Sequence, residues 1–496
     1  MINHYRANHP GPLFLFIACY CISASCGTTA SDAKTANGES KPNLVFILAD
    51  DCTFRDIGCY GGQAKTPNID RLATEGMKFE RCFQAAPMCS PTRHNLYTGL
   101  YPVRSGAYPN HTFAKPGTQS IVHYLKPLGY RVALSGKTHI ASRKVFPFEY
   151  SGKKNPDLSA IEKLFKESKE SNTPFCLFAC SNEPHSPWDK GDASIYPPSK
   201  IKLPKYIGDT PKVREDFGHY LAEVSYFDSQ VGQIDSLLQQ YGLAKNTLLV
   251  VASEQGNGFP FAKWTCYGNG LQSALIARWP GKVKPQTVTK ALVEYVDITP
   301  TFVAAAGGQP NDLLEGKSLL PLLTGKTNRH KDHVYGIMTT RGIINGTSVY
   351  PIRTVRDSRY RLIWNLNPTA KFTNACTKTQ HFQSVVAAAN AGDQHAQSVV
   401  QRYHFRPEFE LYDCDSDPLE LKNLAADTRY AKIKQRLKTK LDAWMKSQGD
   451  QGIPTEVEAI LRLNKNSNKT RDQVFKEWQN KTPKKKTNRN STPQNN

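Results

Sequence analysis

The chain predicts an α/β fold: a mostly parallel sheet flanked by helices, followed by a smaller C-terminal α+β unit with a short antiparallel sheet. Three observations predict it. Continuous apolar runs of strand length recur along the first two thirds of the chain. Segments with helical spacing stand between them. After about residue 330 the pattern changes to short paired strands and a closing helix. With 496 residues, 39% hydrophobic and 22% charged, the composition suits a globular protein with one large and one smaller unit.

The elements follow in order. Residues 1–26 read as an export signal: Arg6 precedes the apolar run "PLFLFIACYCISA", which is too short to span a bilayer. Cys26 follows the small residues Ala24 and Ser25 and is a possible lipid acceptor. Ser23, where an aliphatic residue would be expected, leaves simple cleavage to a soluble exported protein equally open. Residues 27–42 form a polar linker.

From residue 43, "NLVFILADD" is a continuous apolar run ending in two acids, as expected of a strand buried on both faces. "TPNIDRLATEG" has a Thr-Pro helix start and a Gly stop. "YRVALSGK", "PFCLFAC", "NTLLVVAS" and "SALIARWP" are further buried strands. Between them, Leu221, Val224, Phe227, Val231, Ile234 and Leu238 recur at helical spacing. This alternation places the larger domain at 43–330.

A second unit, 331–460, opens on "HVYGIMTT". It contains the antiparallel-looking pair in "IRTVRDSRYRLIWNL" and ends in the helix "RYAKIKQRLKTKLDAWMKSQG". The last stretch, 461–496, has ten Lys or Arg against two Asp or Glu and few apolar residues. It is expected to be a disordered basic tail.

The formal net charge is +21, and most of it lies outside the tail, so the body is biased toward anionic partners. An exported chain without a nucleic-acid motif points away from nucleic acid and toward an anionic glycan. Twelve cysteines are present, nine of them beyond the signal. That odd number becomes eight if Cys89 serves another chemistry, and no spacing assigns a disulfide. Cys176 and Cys180 lie in a buried run and read as free thiols.

Chemistry-bearing residues gather at strand ends, where open α/β sheets bind ligands. Asp50 and Asp51 follow one strand, Lys137 and His139 another, His185 a third, and Glu254 with Gln255 a fourth. Each alone has an ordinary explanation: paired Asp caps a turn, and a Lys or His at a strand end is solvated. Their coincidence on four strands is the signal. Asp50, Asp51, Glu254 and Gln255 offer an all-oxygen cage suited to Ca2+, or to Mg2+. Lysines and histidines beside it would stabilise an oxyanion. Cys89 stands just before a helix start, which favours an anion.

"CSPTRHNLYTGLYP" resembles the type I sulfatase signature, C-x-P-x-R with a Thr-Gly beyond. "KPNLVFILADD", "GKTHI", "EPHSPW", "SEQGNGFPFAKWTCY" and "ELYDCDSDPLELKNLA" are similar to further elements of that family, so the likeness runs from about Lys41 to about Gly452. "GKTHIASRKVFPFEY", "GFPFAK" and "FRPEFELYD" are nearest in appearance to the heparan N-sulfatase (N-sulfoglucosamine sulfohydrolase) branch.

The resemblance implies an alkaline-phosphatase-like fold. It also implies sulfate hydrolysis on a sulfated carbohydrate, with Cys89 oxidised to formylglycine by a maturation enzyme that reads the unfolded chain. Asp50, Asp51, Glu254 and Gln255 would hold the metal together with the hydrated Cys89, and Arg93 would support the hydrate. Lys137, His139 and Lys263 would bind sulfate, and His185 would face the leaving group. The family usually has Asp followed by Asn or His where this chain has Glu254-Gln255, each one methylene longer. Two rivals remain: a phosphate or phosphonate monoester hydrolase of the same fold, and a non-catalytic binder of sulfated glycans. His94, inside the helix, is expected to pack. His111 lies in a loop able to line the cleft. The expected location is exported: periplasmic, lipid-anchored or secreted, with membrane contact only through Cys26.

Overall fold

The structure, a computed structural model, describes residues 40–481. The export signal, Cys26, nearly all of the linker and residues 482–496 lie outside the described residues. Among the described residues no helix is long and apolar enough to cross a membrane.

Among the described residues, thirteen strands form two sheets. The first contains β1 (Asn43–Leu48), β2 (Met77–Phe83), β3 (Arg131–Gly136), β4 (Glu149–Ser151), β5 (Phe175–Cys180), β6 (Thr247–Ala252), β7 (Gln272–Arg278), β8 (Thr287–Thr289) and β9 (Val293–Glu294). Their order is β4-β3-β5-β1-β6-β7-β2-β8, with β9 also on β2. The pairings from β4 to β6 are parallel. The expected run "SALIARWP" is β7, and it lies antiparallel to both β6 and β2. Two reversals restore direction, so β2 runs the same way as β6.

β1 shows why its sequence is apolar throughout. Val45 and Ile47 enter the core on one face of the sheet. Leu44, Phe46 and Leu48 enter the core on the other. Each fully buried side chain of this kind contributes about 1.5–3 kcal/mol. The helix Pro211–Gln240 covers the first face. It starts on Thr210, whose hydroxyl accepts from the Val213 N–H at 3.2 Å, with Pro211 in the first turn. Phe217, Leu221, Val224, Phe227, Val231, Ile234 and Leu238 all point into that core.

The second sheet is antiparallel: β10 (Val334–Met338), β11 (Ile352–Arg356), β12 (Tyr360–Asn365) and β13 (Phe409–Asp413), in that order. The helix Ala431–Gln448 packs on it through Leu437, Leu441, Trp444 and Met445. Between β12 and β13 stands a helical pair, Gln380–Asn390 and Gln394–His404, which the sequence reading did not single out.

The tail is a correction. Residues up to 481 are folded, with turns at Ala459–Arg462 and Asn464–Asn466 and a helix at Arg471–Lys481. Few apolar residues suffice because they extend an existing surface rather than build a core. Leu463 is buried and bridges Thr112, and Val474 is 2% exposed. Arg462 donates to the Gly106 carbonyl at 2.8 Å and lies over the Phe113 ring. All nine described cysteines are free, and all but the half-buried Cys59 are buried.

Candidate active site

Strand register builds the site. Leu48 is level with Cys180 and with Ala252 across the parallel sheet, and Gly136 is level with Cys180. The four strands therefore end flush. Asp50 and Asp51, Lys137, the 181–185 turn, and Glu254 with Gln255 leave the sheet at one edge. Backbone bonds tie the exits together: Asp50 N–H donates to the Glu183 carbonyl at 3.0 Å, Cys52 N–H to Glu254 at 3.1 Å, and Lys137 N–H to Cys180 at 2.9 Å.

β2 points to the same edge and delivers Cys89. The helix Cys89–Thr98 follows at once and stops at Gly99, whose φ of 64° is left-handed. Pro91 sits in the first turn, where its missing N–H costs no helical bond. All ten residues of this helix are buried. The Thr92 hydroxyl donates to the Ala86 carbonyl at 2.7 Å and fixes the approach.

The side chains form a connected cluster. Gln255 Nε2 lies 2.9 Å from Cys89 Sγ and donates to Asp51 Oδ1 at 2.7 Å. Lys263 Nζ meets Asp51 Oδ2 at 2.6 Å, and His185 Nε2 is 3.5 Å from the same oxygen. Lys137 Nζ pairs with Asp50 Oδ2. The Arg93 guanidinium donates to Glu254 Oε2 at 2.5 Å and to the Lys137 carbonyl at 2.9 Å, and lies 3.7 Å from Asp50 Oδ1. Eight of the expected positions are thus brought together around Cys89. His139 is not bonded to them. Its Nε2 faces His111 Nδ1 at 2.9 Å, and the Lys137 charge acts on both rings, so His111 stands beside the cluster.

His94 packs. It is buried edge-on against Phe146, and its ring nitrogens face the Ser90 and Ala141 carbonyls at 2.7 and 3.1 Å. Burial pushes its pKa down to about 4, so it is neutral.

Several residues of the cluster and its surroundings have left-handed backbone. Asp51, His111, His139 and Gln255 are non-glycine residues at φ of 57°, 53°, 48° and 30°. Such conformations are uncommon away from glycine and cluster at functional sites.

Electrostatics fit a cation. Asp50, Asp51 and Cys89 present ligand atoms within 4.8 Å of one another. Glu254 stands outside that tight group, turned toward Arg93. Asp50 Oδ1, Glu254 Oε1 and Gln255 Oε1 are all buried without a hydrogen-bond partner. Buried acceptors are rarely left this way, and oxygen donors of this kind match a hard divalent ion. Burial drives the Glu254 carboxyl well above its usual range, Arg93 opposes the shift and the Asp50 charge adds to it. Burial likewise raises the Cys89 thiol, with the Asp50 charge adding to the effect. An unmodified Cys89 would therefore be a poor nucleophile at neutral pH, since the thiolate is the reactive form.

This fold and site define an α/β protein with a buried cluster of acids, cations and one cysteine at a single sheet edge. Comparison with known proteins places it more closely. A sulfatase family model matches residues 42–308, and a model of the N-sulphoglucosamine sulphohydrolase C-terminal region matches residues 256–377. An ulvan-active sulfatase of Formosa agariphila is 32% identical over 457 residues, covering 88% of this chain and 87% of its own. Human N-sulphoglucosamine sulphohydrolase is 27% identical, covering 81% and 89%. A protein solved with its substrate D-glucosamine-2-N,6-O-disulfate shares the fold at a TM-score of 0.63 and 19% identity, covering 84% and 99%. The chain belongs to the sulfatase family, and it is a hydrolase of sulfate esters or sulfamates.

Proposed function

We propose that this sulfatase removes sulfate from a sulfated carbohydrate, using a formylglycine formed from Cys89 and a calcium ion. The carrying observation is the set of three partnerless buried oxygens, on Asp50, Glu254 and Gln255, beside a cysteine at a buried helix start. Asp50, Asp51, Glu254, Gln255 and the modified Cys89 would hold the ion. Bound there, it would supply positive charge to the transferring group.

The chain's own residues do the rest. Once oxidised and hydrated, Cys89 attacks sulfur through one hydroxyl, and the sugar oxygen or nitrogen leaves with a proton. The second hydroxyl then expels sulfate and restores the aldehyde. Arg93, anchored on Glu254 and on the Lys137 carbonyl, would hold the hydrate. Lys137, Lys263 and His139 surround the sulfate with donors. His185, 32% exposed, faces the open side, where the leaving group departs. The positively charged body suits a polyanionic substrate.

The relatives support the substrate class. One is named for activity on ulvan and another for N-sulphoglucosamine, both sulfated saccharides. We propose further that the chain is exported, being periplasmic, secreted or lipid-anchored at Cys26, and is matured by a formylglycine-generating partner. The test is desulfation of a panel of defined sulfated saccharides, N-sulfoglucosamine included, beside matched sulfate and phosphate esters of one aromatic alcohol. Release of sulfate from at least one saccharide, with the sulfate ester preferred, is expected. Preference for the phosphate ester overturns the reading.

A further inference from the structure

The folded part of the former tail walls a second pocket. A cavity of about 240 Å3 lies between the 340–348 loop and the 460–478 segment, with Arg341, Ser348, Lys465 and Trp478 on its sides. Its walls are tied to the Asn110–His111 turn, whose His111 ring meets His139. The Asn110 N–H donates to the Arg341 carbonyl at 3.3 Å, and Asn464 N–H donates to the His111 carbonyl at 2.7 Å. Gly342, at φ 78°, lets the two loops touch, since a Cβ there would stand 2.2 Å from the Asn110 carbonyl oxygen. The Asn110–His111 turn therefore has His139 on one side and this pocket on the other.

The lining specifies a ligand. Arg341 Nε and Nη2 are buried and have no hydrogen-bond partner, and the guanidinium lies 4.8 Å from the Trp478 ring centre. A planar donor fork held on an aromatic face suits a sulfate or carboxylate. Lys465 adds a second positive charge at the mouth. Glu477, the carboxylate on the wall, is engaged by Lys469 at 2.8 Å. Trp478 supplies an apolar platform for a ring. The volume is below that of a drug-sized pocket and suits a single sugar unit.

Resting on the sulfated-carbohydrate reading above, we infer that this pocket is a second subsite. It holds an anionic sugar, sulfated or a uronate, next in the chain to the unit presented to Cys89. The consequence is selectivity for oligosaccharides over single sugars.

Binding by a Cys89→Ala protein, measured by calorimetry, separates the possibilities. The probes are a sulfated monosaccharide that the parent enzyme turns over and a sulfated disaccharide containing it. The disaccharide is expected to bind at least tenfold tighter. Adding Arg341→Gln or, on the exposed side, Lys465→Gln is expected to remove most of that gain, with Arg341→Lys retaining part of it. Lys465→Gln keeps the test open if Arg341→Gln fails to fold. Equal binding of both probes, or an undiminished gain in both Gln variants, overturns the subsite. Failure of the parent enzyme to desulfate any saccharide, with aromatic sulfate turnover intact, overturns the substrate class instead.

Discussion

Arg93 Nη2 and Glu254 Oε2 stand 2.5 Å apart with both side chains fully buried. Glu254 thus has one oxygen committed to the arginine and the other buried without a partner. The pair joins the Cys89–Thr98 helix to the end of β6, so a change at either residue acts on both.

Glu254→Gln removes a carboxylate charge from the cage and the counter-charge of Arg93. Calcium affinity, read by titrating activity in metal-buffered solution, is expected to fall about tenfold or more, because charge count tunes such sites. The joint change Glu254→Asp with Gln255→Asn shortens both side chains by about 1.5 Å. That is large against the metal–oxygen tolerance of about ±0.2 Å, so it too is expected to weaken activity, although it restores the commoner family pair. Parent-like titration in both proteins would make Glu254 and Gln255 bystanders.

Cys89→Ala is expected to cut turnover by about 10³-fold or more, as loss of a nucleophile does, with an unchanged melting profile. Mass analysis of the parent peptide containing Cys89 should show sulfur replaced by aldehyde oxygen when the host carries the maturation enzyme. A sulfur-containing peptide in fully active protein would refute the mechanism.

Truncation at residue 460 is expected to lower turnover of even a small sulfate ester by about tenfold to a hundredfold, the scale of a misplaced catalytic group. The cut removes Arg462, whose carbonyl accepts from Thr112 at 2.7 Å, and Asn464, which holds His111. Removal of residues 482–496 alone is expected to leave that turnover unchanged. Steady-state kinetics on both truncations decides the matter.

At the join between the two sheets, Lys331 Nζ meets Glu294 at 2.7 Å and Asp297 at 2.8 Å, all three side chains being largely buried. Lys331, His330 and burial compete at Asp297, and the cations win, lowering its pKa from 3.8 to about 2. A carboxyl depressed in the folded state adds stability above its unfolded pKa and loses it as pH falls through the folded one. The window here is from 3.8 down to about 2. Lys331→Met is expected to cost about 3–5 kcal/mol at neutral pH, the usual cost of orphaning a buried charge, and to flatten the acid limb in that window. Chemical denaturation at several pH values measures both.

Much of this was legible in the sequence because the physics is local. The runs that became β1, β3, β5 and β6 are apolar on both faces, and the acids, lysine and histidines at their ends are unmistakable in type. The reversal at β7 was not legible: a buried strand reads the same in either direction. Nor was the folding of the tail, since Leu463 packs against partners more than a hundred residues away, Thr112 and Gly342. The pairing of His111 with His139 depends on two left-handed backbones, which no side-chain pattern announces.

The complete burial of the Cys89 helix has a consequence for biosynthesis. Once that helix packs, the thiol is out of an enzyme's reach, so under the proposed maturation oxidation and folding would race from the moment residue 89 is made. The fraction of active molecules would then be set by two rates, not by the stability of the final fold. A substitution far from the site that hastens packing of β2 would yield a well-folded protein of lower specific activity. One that delays packing would raise it.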